Sequence, residues 1–281
     1  MSAFKSHALA SLWAHKPALM GVVNVTPDSF SDGGHYFNQD KAIEHALTLI
    51  EEGADILDVG GESTRPGAQM VDVDEEIRRI VPVIRAMRGK TQYISIDTKN
   101  AKTMVAAIEA GANIINDVSA LSADKDSLDV AKEAGIPVVL MHMQGEPSTM
   151  QKNPSYQNAV KDVFEYLQQR IDICDTHGID ADLLLADPGI GFGKSVQHNL
   201  AILQNIKRFL DLPVPILLGV SRKTFLGKIS NDEPPSERVP GSISAALWSY
   251  AQGIKIFRVH DVRETRQALK VFEAISSYDN N

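Results

Sequence analysis

Short apolar runs alternate with longer amphipathic stretches from one end of the chain to the other. The runs are rich in β-branched residues, bounded by Gly, Pro or Asp, and cover residues 19–25, 56–60, 93–96, 114–118, 137–141, 183–186, 216–220 and 256–259. That length and composition predict buried strands. Segments of helical period lie between and after them, at 41–52, 74–88, 101–109, 126–133, 156–177, 196–208, 242–252 and 262–275. Several stop at a glycine of the kind that follows a helix C-terminus: Gly53, Gly111, Gly135, Gly178 and Gly253. Strands separated by helices predict a parallel sheet, because parallel strands need a crossover connection. The count of eight units favours closure into an α/β fold of the (β/α)8 TIM-barrel type. A doubly wound open sheet is the alternative, and it usually opens with a Gly-rich turn after the first strand. Here the first run leads instead into Asn24-Val25-Thr26-Pro27-Asp28.

Nearly every run ends in a polar residue that a buried strand would otherwise avoid. In order these are Asn24; Glu62-Ser63-Thr64-Arg65; Asp97; Asn116-Asp117; His142; Asp187; Ser221-Arg222-Lys223; and Arg258 with His260. A barrel brings these carboxyl ends together on one face, where its enzymes build their sites. The competing explanation is that Asp and Asn after strands form turns or cap helices. On that view Thr98 or Asn100 caps the third helix and Asp261 the eighth, and Asp117, out of phase with Asn116, is structural. Capping does not explain why lysine and arginine share the same rim.

The set has a chemistry of its own. Asp97, Asn116 and Asp187 offer acceptors and an amide donor, and buried carboxylates are costly unless hydrogen-bonded. A ligand with several N–H donors, such as a guanidine-like heterocycle, suits them. Arg258 and His260 stand two apart on the last run, so strand alternation aims both at one face. With Arg65 and Arg222 they form a positive rim suited to phosphate oxygens or a carboxylate. Loops 26–38 and 62–71 are long and rich in small residues, as substrate-covering loops are, and Phe30 is placed to land on a ligand. The stretch 187–194 is glycine-rich and leads into a helix, yet it matches neither a P-loop nor GxGxxG.

Bulk properties narrow the picture. A barrel of this type needs about 250 residues, so one domain over 1–281 with an N-terminal extension at 1–16 accounts for the 281 residues. The net charge of −8 and the lack of a basic run exclude nucleic acid as the expected partner. An anionic substrate then needs a locally positive pocket. Cys174 is the only cysteine and lies in a helical stretch, which predicts a packed, inert thiol and neither a disulfide nor a CxxC metal site. Neither a signal peptide nor an apolar stretch long enough to span a bilayer is visible, so the expected location is cytoplasmic and no membrane partner is expected.

The segments NVTPDSFSDGG (24–34), DVGGESTRPGA (58–68), ISIDT (94–98), IINDVSA (114–120), MHMQGEPSTMQ (141–151), DPGIGFGK (187–194), GVSRKTFLG (219–227) and RVHDV (258–262) closely resemble the dihydropteroate synthase family, in the family's order. The resemblance implies a folate-biosynthesis transferase and sulfonamide target. It would condense 7,8-dihydropterin-6-ylmethyl diphosphate with 4-aminobenzoate (p-aminobenzoate) to dihydropteroate and diphosphate. By this resemblance Asp97, Asn116 and Asp187 hold the guanidine-like edge of the pterin, and Lys223 reaches its carbonyl and ring nitrogen. Val118, Met141 and Phe192 wall the pocket, and Gly219 is among the substrate-binding positions. Asn24 ligates Mg²⁺, a hard cation that retains waters and substrate phosphate. Arg258 and His260 hold the diphosphate. Phe30, Thr64, Arg65, Pro66, Lys223 and Thr224 shape the aminobenzoate site, with Thr224 near a helix start where its hydroxyl and nearby N–H groups meet the carboxylate. The residues expected to carry the chemistry are Asp97, Lys223, Arg258, His260, Phe30 and Arg65.

The implied path is SN1-like. Charge neutralisation releases diphosphate, the electron-rich dihydropterin delocalises the cation, and Asp97 or Asp187 stabilises it. The aryl amine is neutral and needs no strong base. Both long loops would close after the diphosphate binds, giving pterin first and benzoate second. Arg258→Ala is expected to lose the diphosphate substrate while free pterin still binds, and Asp97→Asn to weaken both. The family also implies a homodimer through helices late in the chain. Two rivals share the pterin pocket. A methyltetrahydrofolate-binding methyltransferase would need a cobalamin-protein docking surface and lacks a use for Arg258, His260 and 64–66. A non-catalytic pterin-binding protein would have lost loop or diphosphate residues, and none is lost here.

Overall fold

The alternation read in the sequence is realised as parallel strands with helices between them. The computed structural model describes residues 12–14, 16–26, 35–63 and 70–278. Phe30, Thr64, Arg65 and Pro66, with most of both long loops, therefore lie outside the described residues. The elements run β1 (Ala18–Asn24), α1 (His35–Glu51), β2 (Ile56–Gly60), α2 (Val73–Met87), β3 (Ile94–Asp97), α3 (Ala101–Ala110), β4 (Ile114–Asp117) and α4 (Ser127–Ala134). They continue with β5 (Val138–Met141), α5 (Ala159–His177), β6 (Leu184–Asp187), α6 (Val196–Gln204), β7 (Leu217–Leu218), α7 (Thr224–Lys228), α8 (Val239–Ala251), β8 (Ile256–Val259) and α9 (Val262–Ser276).

The strand order is β6-β5-β4-β3-β2-β1-β8-β7. A single bridge, Ala186 to Ile216, with the Ala186 N–H donating to the Pro215 carbonyl at 2.9 Å, brings β7 back to β6 and closes the barrel. The weak side of the closure has a local cause. Pro213 and Pro215 lead into β7, and neither has an N–H for a ladder, so the predicted run 216–220 meets β6 only at Ile216 and pairs with β8 at Leu217 and Leu218.

Strand alternation divides each run between two environments. One parity supplies Ala18, Met20, Ile56, Tyr93, Ile114, Val139, Leu185, Leu217 and Ile256, a single apolar layer, with Leu12 and Trp13 packed against it. The other parity, including Leu19, Val23, Leu57, Val59, Ile96, Ile115, Leu140, Ala186, Leu218 and Phe257, packs beneath the helices. Two or four residues past the apolar layer, on the same inward parity, stand Asn24, Asp58, Asp97, Asn116, Met141, Asp187, Gly219 and Arg258.

Several helices differ from the predicted bounds for readable reasons. The helix predicted from 156 starts at Ala159, where the Asn158 side chain accepts from the Lys161 N–H and caps it. The one predicted over 196–208 stops at Gln204, where the Asn205 amide donates to the Ala201 carbonyl, and a 3-10 turn (Ile206–Asp211) follows. The one predicted from 242 begins at Val239, with Pro240 in its first turn. Pro235–Glu237, expected to be plain loop, forms a 3-10 turn. Pro82 sits inside α2 and cannot bond the Arg78 carbonyl; Gln39 Nε2 donates to that oxygen instead, at 3.0 Å. Among the described residues no helix is long and apolar enough to cross a membrane.

Candidate active site

The inward parity at the carboxyl ends of the strands assembles one charged cluster. Arg258 on β8 donates from Nε to Asp58 Oδ2 at 2.6 Å and from a terminal nitrogen to Asp97 Oδ2 at 2.7 Å. Asn116 on β4 donates from Nδ2 to the same Asp58 oxygen at 3.0 Å. Asp97 sits opposite both Gly60 and Asn116 in the ladder, which places β2, β3 and β4 side by side beneath this network. Both carboxylates keep a buried Oδ1 with no hydrogen-bond partner in the structure. An unmet buried acceptor costs about 1–3 kcal/mol, which a ligand N–H would relieve. Burial pushes the Asp97 carboxyl up to about 7 against the opposing pull of the Arg258 guanidinium.

Across the barrel, Asp187 at the end of β6 accepts from the Gly189 N–H at 2.7 Å through Oδ1. Its Oδ2 faces Gly219, where an added Cβ would lie 3.7 Å from that oxygen. Burial raises the Asp187 carboxyl, with the Gly189 N–H working the other way. Lys223 holds its ammonium 3.9 Å from the centre of the Phe192 ring, a cation–π contact. Burial, helped by the charge of Arg258, lowers Lys223 to about 8. Val118, Met141, Met150 and Phe192 form a separate apolar cluster here, and Met150 and Phe192 of this cluster line the cavity. His260, on the same parity as Arg258, meets Ser221 Oγ through both its backbone N–H and Nδ1, at 3.1 and 3.0 Å. A cavity of about 770 Å³ opens over this floor, lined by Asn24, Phe192, Gly219, Lys223, Thr224, Arg258 and His260 among others.

Three sequence expectations change. Arg222 does not join a free positive rim: its guanidinium is bound to Asp261 at 3.0 and 2.5 Å. Asp261 accordingly does not cap α9, and its side chain makes no cap bond. Asn100 makes none for α3 either, because its amide goes to buried Glu76, while Thr98 Oγ1 accepts the Asn100 N–H. Asp117 is structural, accepting from the Ser119 and Leu121 N–H groups. Cys174 is buried and its thiol is raised to about 11 by burial.

Asp58 and Met150 were missed. Asp58 had a signal, a carboxylate within the apolar run 56–60 and on its inward parity, overshadowed by the polar stretch from Glu62 just beyond. Met150 had none, since a methionine in a loop shows its packing only in three dimensions. What the cluster offers is a buried carboxylate–amide set beside an apolar cluster, with an Arg–His pair lining the same cavity.

A family model described as pterin binding enzyme matches residues 20–260. The chain is 46% identical over 262 residues to the dihydropteroate synthase of Haemophilus influenzae, covering 93% of this chain and 94% of that one. Among solved structures, the Xanthomonas albilineans dihydropteroate synthase with 4-aminobenzoic acid is 45% identical with a TM-score of 0.89, over 94% of this chain and 95% of that one. The same enzyme in complex with 7,8-dihydropteroate gives 43% and 0.86 over the same shares. The barrel and the matched family together mean that this chain belongs to the pterin-binding enzymes, among the dihydropteroate synthases.

Proposed function

We propose that this chain joins 7,8-dihydropterin-6-ylmethyl diphosphate to 4-aminobenzoate. The C–O bond to diphosphate breaks, a C–N bond to the aryl amine forms, and the amine gives up one proton. The observation that carries this reading is the buried set of Asp97, Asn116 and Asp187, with unmet acceptor capacity on Asp97, beside an Arg–His pair that lines the cavity. A fused heterocycle with an N–H-rich edge satisfies those acceptors, with its ring against Val118, Met141 and Phe192. Lys223 donates to its carbonyl and ring nitrogen. The complex of a relative with 7,8-dihydropteroate supports the same substrate class.

Arg258 and His260 bind the diphosphate and neutralise the charge that gathers as it leaves. Asp97 or Asp187, at the edge of the heterocycle, stabilises the positive charge left on the dihydropterin. The amine arrives neutral, so positioning and electrostatics outweigh acid–base catalysis. Thr224, exposed at the start of α7, and Lys223 meet the aminobenzoate carboxylate. Asn24 lines the same cavity as Arg258 and His260, and no cluster of three His, Cys, Asp or Glu suited to a metal occurs among the described residues. One neutral amide oxygen fits Mg²⁺ that keeps waters and phosphate oxygens as its other ligands. When bound, the ion would supply further neutralisation of the diphosphate.

Two copies pair through the apolar groove of about 700 Å³ between α6, α7 and α8. Leu200, Ile229 and Trp248, 43%, 52% and 51% exposed, support this, and sedimentation of a Trp248→Glu variant tests it. The reaction itself is tested by mixing the chain with the pterin diphosphate, 4-aminobenzoate and Mg²⁺. Stoichiometric release of diphosphate and dihydropteroate is expected; no release overturns the reading.

A further inference from the structure

The loop between β6 and α6 carries a buried lysine that the reaction above does not use. Lys194 is only 2% exposed. Its Nζ lies 2.9 Å from His142 Nδ1, 2.9 Å from the Gly189 carbonyl and 3.0 Å from the Phe192 carbonyl, with the His142 carbonyl at 3.3 Å. Burial lowers Lys194 to about 7, and in its ammonium form its three protons match the three nearest acceptors. His142 then accepts at Nδ1 and carries its own proton on Nε2. Its ring is fixed by an edge contact with Tyr166, centroids 4.8 Å apart, and burial holds the imidazole well below its usual pKa, in the neutral form.

Each backbone group that Lys194 grips leads to a pocket residue. The Gly189 carbonyl belongs to the turn whose N–H donates to Asp187 Oδ1 at 2.7 Å, so gripping it fixes the rotation of the Asp187 carboxylate. The Phe192 carbonyl fixes the ring that lies under the Lys223 ammonium. The turn has little room for another arrangement, since a Cβ at Gly189 would sit 1.9 Å from the His142 carbonyl oxygen.

We infer that Lys194, anchored on β5 by neutral His142, is a positioning residue for the heterocycle pocket. It acts through the backbone of Gly189 and Phe192 to aim Asp187 and the Phe192 ring, and it does not touch the substrate. The inference rests on the pterin reading of the pocket. It predicts a larger effect on the heterocycle than on 4-aminobenzoate, because the groups that Lys194 grips lead directly to Asp187 and the Phe192 ring, whereas Lys223 only rests its side chain on this loop and is carried by the backbone between β7 and α7.

The test measures binding of 6-hydroxymethylpterin by calorimetry and the KM of each substrate, in the unaltered chain and in Lys194→Met, His142→Leu and His142→Asn. Lys194→Met and His142→Leu should weaken pterin binding and raise the pterin-diphosphate KM by about ten- to a hundredfold, the scale of misplacing a group by about an ångström. The 4-aminobenzoate KM should stay within about twofold, the split expected of a selectively displaced binding group. His142→Asn, which keeps an acceptor near the Nδ1 position, should restore most of the loss. A role limited to stability would lower the unfolding midpoint without splitting the two KM values. If Lys194→Met does not fold, the His142 pair decides. Pterin binding by the unaltered chain that the folded variants leave unchanged overturns this inference alone. No pterin binding by the unaltered chain overturns it together with the proposed function.

Discussion

At the scale of single residues, Arg258 has two tasks that the sequence could not show. It is positioned for the diphosphate, yet its guanidinium is already bonded to Asp58 and Asp97. Removing it frees Asp97, so Arg258→Ala should weaken free pterin as well as the diphosphate substrate, contrary to the separation expected from sequence. His260 bonds Ser221 Oγ through its backbone N–H and its ring, and it stands two residues past Arg258, beyond the Arg258–Asp97 pair. His260→Ala should therefore cost the diphosphate substrate about 1.5–3 kcal/mol, the worth of a charged hydrogen bond, and leave free pterin unchanged. Calorimetry with both ligands decides it: equal losses would place His260 in the pterin site. Lys223 gives a second prediction, with its sign set by a folded pKa of about 8 against the ordinary 10.5. The ammonium that donates to the pterin is present below the folded value and lost above it. Pterin affinity should be level below about pH 8 and fall as pH rises through it, and Lys223→Arg should flatten the profile. For stability the sign is opposite. Between the two values the unfolded chain holds more protons, so folding gains as pH rises.

At the scale of elements, the loop after β6 does the most exacting work. Gly189, Gly191 and Gly193 all have positive φ, at +65°, +85° and +60°. The same backbone angle occurs at Gly135 after α4, φ +58°, but a Cβ there meets nothing within 4 Å. The pair separates conformational strain from steric cost. Gly135→Ala should lose about 1 kcal/mol, the left-handed penalty alone. Gly189→Ala adds a clash with the His142 carbonyl and should lose about 2–4 kcal/mol, together with pterin affinity. Urea unfolding of both variants checks this; equal losses would mean that the β5 backbone yields freely. Element types and order were legible because each follows from apolar period. The ends were less so, since Asn158, Asn205 and the prolines before β7 act through single side-chain or missing-donor effects that a period does not carry.

At the scale of the whole molecule, a chain of net charge −8 gathers Arg258, Lys223, Lys194 and His260 around one barrel mouth. The inward apolar layer beneath them keeps that cluster dry from below. Burying unsatisfied acceptors there makes the empty barrel less stable than it could be, and ligand binding should recover part of the loss. Dihydropteroate at about 100 times its Kd should add about 2.7 kcal/mol to unfolding, read as a rise in thermal midpoint. An unchanged midpoint would mean that the product binds folded and unfolded chain alike. Asp58→Ala leaves Arg258 with one buried partner fewer, and should cost about 3–5 kcal/mol by urea unfolding. A much smaller loss would mean that Arg258 finds another acceptor.

The sequence by itself determined the strands, the helices between them, the barrel, and the polar residue ending most strands. All of these are local, since a run of apolar residues and its parity are properties of neighbouring positions. Inward parity even marks Asp58, had the strand been followed residue by residue. Only the tertiary structure decided who pairs with whom. Arg258 is 200 positions from Asp58 and 161 from Asp97, Arg222 is 39 from Asp261, and Lys194 is 52 from His142. Those partners meet because barrel closure sets the register of distant strands and brings their carboxyl ends within bonding distance. A charge near one strand end carries no local record of which opposite charge will face it.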